Sequence, residues 1–197
     1  MKRLPKAAPD DADFLAFPSE GDWARWLAKN HADSTGVWLR FFKKAGGTAS
    51  VNHADALLLA LCYGWIDGQL KKHDEQSWLR KFSPRRAKSI LSKRNRELAE
   101  QLAAAGKMKP AGLKEISAAK ADGRWERAYD SPGKMTVPAD FLRALTKNKN
   151  ARSFFKTLNK ANRYAIAWRL QTAKKPETRD RRMQAIIAML AKGEAFH

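Results

Sequence analysis

The sequence predicts an α+β protein, with a small β-sheet and helices in the N-terminal part and an all-helical C-terminal module. Strand-like segments concentrate before Pro84, helical periodicity dominates after Ser92, and DSPGKMTVP at 130–138 has the composition of a linker. The expected layout is a flexible tail over 1–16, an α+β domain over 17–130, a linker over 131–137 and a helical module over 138–197. A chain of 197 residues suits one domain or two small ones, and seven Trp and nine Phe can fill a core.

In order along the chain, Ser19 followed by Asp22 resembles a capping box and opens a helix to about Lys29, with Trp23, Trp26 and Leu27 on one side. VWLRFFK at 37–43 is aromatic and β-branched, so it reads as a strand, broken by Ala45-Gly46-Gly47. Asn52 caps a helix to about Tyr63 that is apolar nearly all round and therefore central. Trp65–Leu70 and Ser77–Phe82 read as two strands joined by the polar turn KKHDEQ, and Pro84 stops the ladder.

Ser92 then opens a helix with Leu91, Leu98, Leu102 and Ala105 at helical spacing, and Gly106 is its C′ residue. Pro110 starts another, ended by Gly123. Three or four helices follow residue 138. The last opens at Pro176, carries the stripe Met183, Ile186, Ile187, Leu190, closes at Gly193, and has a favourable pair in Glu177 and Arg181.

The net charge of +19 is unevenly spread. Residues 1–79 hold ten basic and ten acidic side chains, whereas RKFSPRRAKSILSKRNR at 80–96 holds eight basic and no acidic ones, and 141–197 holds fourteen against three. Such asymmetry points to an anionic partner, a small anion or a polyanion, and to weak nonspecific nucleic-acid binding. The bland alternative is a solvated charged face. The longest apolar stretch, Ala56–Tyr63, is far too short to span a membrane, and Asp10, Asp11 and Asp13 interrupt the N-terminal segment, so a cytoplasmic location without membrane insertion is expected.

Cys62 is the only cysteine, so no internal disulfide forms, and its apolar run LLLALCYGW suggests a buried, inert thiol. No Cys/His cluster accompanies His31, His53, His73 or His197, so no metal and no cofactor is expected, and the Gly-rich phosphate and nucleophile-elbow motifs are missing. Asp67, in YGWIDGQ, is the carboxylate that stands out, since flanking glycines let backbone approach a ligand. A turn-forming role is its alternative. Arg85 and Arg86 offer guanidinium forks, and Ser89, Ser92 and Asn95 offer polar groups near a helix start, a credible anion site. The same arginines could instead pair with Asp67 internally. Tyr63, Trp65, Asp67, Gln69, Arg85, Arg86, Ser89, Ser92 and Asn95 are thus the candidate ligand-binding residues.

These segments carry a resemblance. CYGWIDGQ at 62–69, FSPRRAKS at 82–89, LSKRN at 91–95, GKMKPAG at 106–112 and AAKADGRWERAYD at 118–130 resemble the YdeI/OmpD-associated, or bacteriocin-protection, family, as does the helical segment from Ala151 to Leu190. The match runs in order from about Phe17 to Gly193. The family carries Trp in a Ser-x-Trp-Ser pattern where this chain has Leu91, which removes a stacking role there. The resemblance implies a role in envelope stress, porin association or peptide protection and no particular reaction. Three function classes follow: a non-enzymatic stress-related protein binding an anionic partner, which the residues favour; a nucleic-acid binder using 80–96 and the basic C-terminal helices, with Trp78/Arg80 and Tyr164/Arg163 as stacking pairs; and an enzyme with Asp67 as acid or base.

Overall fold

The computed structural model describes residues 14–43, 47–131 and 133–197. They divide into two units, one formed by residues up to Ser89 with Asn95–Trp125, the other by Ile90–Arg94 with Glu126–His197. The α+β class expected from the sequence is what the structure shows, with every strand among the described residues before residue 85 and helices throughout the C-terminal part.

The first unit is built on a four-stranded sheet in the order β1-β2-β4-β3. β1 (Phe14–Leu15) pairs parallel with β2 (Val37–Phe42), and β4 (Ser77–Pro84) runs antiparallel to both β2 and β3 (Trp65–Lys72). Phe14 and Leu15 therefore belong to the sheet, which corrects the expectation of an unstructured tail over 1–16; residues 1–13 lie outside the described residues. A two-residue edge strand suffices here because Phe14 sets its ring against His73, with centroids 4.9 Å apart. Ala45 and Gly46, expected to break β2, also lie outside the described residues, as does Pro132 of the expected linker.

One face of the sheet is packed against α1 (Glu20–Asn30) and α2 (His53–Cys62). Ser19 Oγ accepts from Asp22 N–H and donates to the Asp22 carboxylate, fixing the start of α1. Asn52 does the same for α2 by accepting from Asp55 N–H at 3.0 Å. The core joins Trp23, Leu27, Leu39, Phe41, Trp65 and Phe82. Buried indoles need acceptors, and Trp23 donates to the Ala56 carbonyl and Trp65 to the His31 carbonyl, each at 3.1 Å.

α3 (Lys93–Ala104) and α4 (Pro110–Ala121) follow in the chain. Gly106, with φ of 66°, lets Lys107 N–H return to the Leu102 carbonyl and so closes α3. α4 packs close to the end of α2: a Cβ on Gly112 would run into the Cys62 carbonyl oxygen. Gly64, at φ of 74°, lies against Glu115 and Ala111 in the same way. The glycine before Trp65 thus serves a left-handed turn and a helix contact.

The second unit contains α5 (Ala139–Leu145), α6 (Lys149–Thr157), α7 (Lys160–Gln171) and α8 (Pro176–Ala191). Phe141, Leu145, Ile166, Leu170, Ile186 and Leu190 form its core. Asn148 and Asn159 cap α6 and α7 by accepting from Ala151 and Asn162 N–H. α8 shows its ion pair at Arg179, which grips Asp140 with two hydrogen bonds of 2.5 and 2.9 Å. Asp130 bonds Lys93 at 2.8 Å and accepts from Gln171 at 2.7 Å.

Candidate functional site

Strand alternation places Trp65 and Asp67 on the helix-packed face of β3, and the cross-strand partner of Asp67 is Phe82. The register then shifts, since Leu70 rather than Gln69 lies opposite Arg80. Gly68 and Gln69 form the irregularity and are exposed. That irregularity leaves Asp67 and Arg80 as diagonal neighbours on one face. Arg80 donates to Asp67 Oδ2 from Nε at 2.9 Å and from Nη2 at 2.5 Å. From the first turn of α2, His53 Nε2 meets the same oxygen at 3.0 Å. The His53 ring sits among Phe41, Trp78 and Phe82, with centroids 5.7, 5.6 and 6.2 Å away.

The Asp67 side chain keeps only 12% of its exposure. Burial by itself pushes its carboxyl up, but the hydrogen bonds from His53 and Arg80, with their charges, outweigh burial and hold it below the usual carboxylate range. An ionised carboxylate only accepts, so the proton of that bond is carried by His53 Nε2. Asp67 is therefore bound by Arg80 and His53, and not by the Arg85 or Arg86 bridge considered from the sequence. The reason is the sheet register: β4 delivers Arg80 to the Asp67 face, whereas Arg85 lies beyond the strand end, where its N–H bonds the Gly64 carbonyl at 3.1 Å.

Arg85 turns to the loop that follows. Its Nη2 reaches the Ser89 carbonyl and hydroxyl at 3.4 and 3.5 Å. Ser89 N–H bonds the Arg86 carbonyl at 2.8 Å and closes this turn. A second guanidinium arrives at the same carbonyl: Arg124 Nη1 donates to Ser89 O at 3.1 Å. Arg124 is 5% exposed, and its Nε grips both Asp122 carboxylate oxygens at 2.6 and 2.9 Å. Arg86 and Lys88, in the same loop, are exposed. Two guanidinium groups thus meet at one carbonyl, and one of them, Arg124, is held by the Asp122 carboxylate.

The remaining candidates are placed elsewhere. Trp65 is core. Tyr63 caps α2 and, with Cys62, lines a groove of about 570 Å³ whose other walls include Glu20, Asp55, Leu102 and Lys109. Ser92 lies in the second unit, in a bridge with Tyr129, and Asn95 lies within α3. Leu91, at the position where the resembling family has Trp, is 5% exposed and buried rather than stacking. Burial pushes the Cys62 thiol up, against the pull of Lys109 and Lys107, which is the inert thiol expected. Among the described residues no three His, Cys, Asp or Glu side chains are grouped as metal ligands, and no helix is long and apolar enough to cross a membrane.

Sequence reasoning misses His53 and Arg124, and gives Arg80 only as a stacking partner of Trp78. His53 stands out there only as a possible metal ligand, although its place after the Asn52 cap puts it at the sheet. Arg80 could have been found by strand alternation, counting two residues back from Phe82. Arg124 gave no local signal, because its partner at 89 is distant in sequence.

Fold and site together define a basic α+β protein with an aromatic-framed ion cluster, an arginine-rich loop and a helical module. The chain belongs to the family of a domain of unknown function, DUF8412, whose family model matches residues 15–115. Residues 134–193 match the family described as bacteriocin-protection, YdeI or OmpD-associated, in agreement with the resemblance of the sequence. That match covers the helical segment, while 62–69, 82–95 and 106–112, which carried the resemblance in the first half, fall inside the DUF8412 match. No curated protein and no solved structure matches the chain.

Proposed function

We propose that the protein is a non-enzymatic, cytoplasmic, envelope-protection-related protein that binds an anionic partner on its 85–89 loop. The observation that carries this reading is the meeting of Arg85 and Arg124 on Ser89, with Arg86 alongside. Guanidinium groups fixed by a turn lose little freedom when they take a phosphate or carboxylate in bidentate fashion. The candidate site therefore keeps Arg85, Arg86 and Ser89, gains Arg124 and loses Asp67.

Asp67 supports the non-enzymatic side of the reading. A general acid or base near neutral pH needs a carboxyl pushed up, and this one is held down and occupied by Arg80. The bacteriocin-protection description of the matching family fits an indirect role here, because a chain of net charge +19 repels cationic peptides.

Calorimetric titration with pyrophosphate tests the site. Arg85→Gln should weaken binding by about tenfold or more, as loss of a charge-assisted bidentate contact does. Arg181→Gln with Arg182→Gln, in α8, where Arg181 is exposed and Arg182 donates to the Arg169 carbonyl at 2.7 Å, should leave it within about twofold. If the α8 pair abolishes binding and folded Arg85→Gln binds like wild type, the site lies in the helical unit and this reading fails.

A further inference from the structure

The sheet has a second face, and its side chains have a different character. Register places Phe14 beside Trp38, Trp38 opposite Lys81, Arg40 opposite Leu79, and Lys71 opposite Leu79 on the other side. Cross-strand partners point the same way, and alternate residues along β2 do too, so Phe14, Trp38, Arg40, Phe42, Lys71 and Lys81 share one face. The opposite face carries Leu39, Phe41 and Phe82, which belong to the core. All six residues of the first group are half-buried.

The contacts on this face are cation to ring. Lys71 Nζ lies 5.0 Å and Lys81 Nζ 6.0 Å from the Trp38 ring centroid. Arg40 stands 4.6 Å from the Phe42 centroid and 5.7 Å from that of Phe14, steered by Asp74 at 2.6 Å and Ser77 at 2.9 Å. Among the described residues, Trp38 is the partner that Lys71 and Lys81 share, so with one carboxylate against three cations the face is net positive. Helix-packed sheet faces bury aliphatic and aromatic groups away from ammonium heads. This one interleaves rings and cations across four strands, around a buried Leu79.

The geometry points to a platform for single-stranded nucleic acid. Rings one strand apart across the sheet, Phe14 beside Trp38 at about 4.8 Å, and four residues apart along β2, Trp38 and Phe42, suit unpaired bases, and flanking lysines suit their phosphates. Bases in a duplex are already stacked and cannot use the rings. Charge complementarity is local as well as global: the chain carries +19, and Lys81 lies in the acid-free segment 80–96. This goes beyond the loop site, and it relocates the aromatic–cation pairing considered from the sequence. Trp78 and Arg80 face inward, Trp78 stacking on Phe41 with centroids 4.7 Å apart and Arg80 bonding Asp67. Residues of opposite parity occupy the outer face.

The test is fluorescence anisotropy with labelled oligothymidylate, a duplex of equal length, and an abasic deoxyribose-phosphate oligomer that keeps the charge and lacks the bases. The wild-type chain should bind oligothymidylate about tenfold or more tighter than the abasic oligomer, since base–aromatic stacking supplies the difference. Trp38→Leu should erase that preference and Trp38→Phe should keep most of it. Lys71→Gln with Lys81→Gln should weaken both oligomers and flatten the salt dependence by roughly 1.4 in log–log slope, the value for two single-strand phosphate contacts. Equal affinity for the abasic oligomer, tighter binding of the duplex, or wild-type behaviour of a folded Trp38→Leu variant would each overturn the platform. If Trp38→Leu does not fold, the base-against-abasic and single-against-double comparisons on the wild-type chain still decide. Pyrophosphate binding should survive Trp38→Phe unchanged, which separates failure here from failure of the loop site.

Discussion

The two units solve the problem of a buried polar group in opposite ways. In the first, Asp67 is kept charged beneath α2 and held by Arg80 and His53 inside a frame of aromatic rings. In the second, the buried polar side chain is Asn162, 4% exposed and neutral. Its Oδ1 accepts from Phe196 and His197 N–H at 3.0 and 3.1 Å, and its Nδ2 donates to Asn159 at 3.1 Å. The amide pins the C-terminal residues onto α7 without a charge. Ionic satisfaction ties the Asp67 site to pH and to partner geometry; amide satisfaction leaves the Asn162 site indifferent to pH.

The largest effect should come from the frame itself. Phe82 is fully buried and forms one wall around His53, so Phe82→Ala should cost about 3–5 kcal/mol, read by urea denaturation. Phe141→Ala, equally buried in the helical unit, should cost a similar amount, since both are cavity effects. A much smaller loss for Phe82→Ala would show that the aromatic frame is loosely packed and would break the contrast at its base.

Next comes the ion cluster. Arg80→Met leaves Asp67 with one hydrogen-bonding partner and should destabilise by about 2–4 kcal/mol, somewhat under a fully buried pair because both side chains keep some exposure. The pH dependence sharpens the comparison. Asp67 titrates below its unfolded value, so its contribution is present above that value, about 3.9, and is lost as pH falls through the lower folded value. Asp67→Asn should therefore flatten the acid limb of the stability curve. Asn162→Leu should lower the curve by about 1–3 kcal/mol at every pH and leave its slope alone, because no proton is exchanged. Parallel curves for both variants would remove the distinction between the units.

Much of the frame is legible in the sequence. The Asn52 and Ser19 caps, the Pro110 start and the hairpin between Trp65 and Phe82 follow from local chemistry, and each stands where the residues indicated. β1 was not legible, because a two-residue strand carries no periodicity and depends on its neighbour Trp38. The site was half legible. Asp67 stood out by its glycines, yet its partners are fixed by a register shift at Gly68 and Gln69 that no alternation pattern announces. Arg85 and Ser89 were readable as neighbours in one loop. Arg124 was not, since only tertiary folding brings it to the Ser89 carbonyl.

The smallest expected effect compares two helix caps of the same chemistry. Asn52 opens α2 and Asn148 opens α6, each accepting one N–H at 3.0 Å. Loss of an Asn cap costs about 1 kcal/mol, so Asn52→Ala and Asn148→Ala should begin nearly equal. They should then diverge in kind. His53 follows Asn52 directly, so fraying the first turn of α2 loosens the His53–Asp67 bond as well as the cap. Nothing comparable follows Asn148, whose neighbour Lys149 is exposed. Asn52→Ala should accordingly lose some of the acid-limb steepness attributed to Asp67, while Asn148→Ala should shift the whole curve down in parallel. Combining Asn52→Ala with Asp67→Asn gives the deciding measurement. The double variant should lose less stability than the sum of the two singles, because the cap and the carboxylate share His53. Strict additivity would mean that the cap and the cluster act separately, and that His53 is held in place by its aromatic neighbours alone.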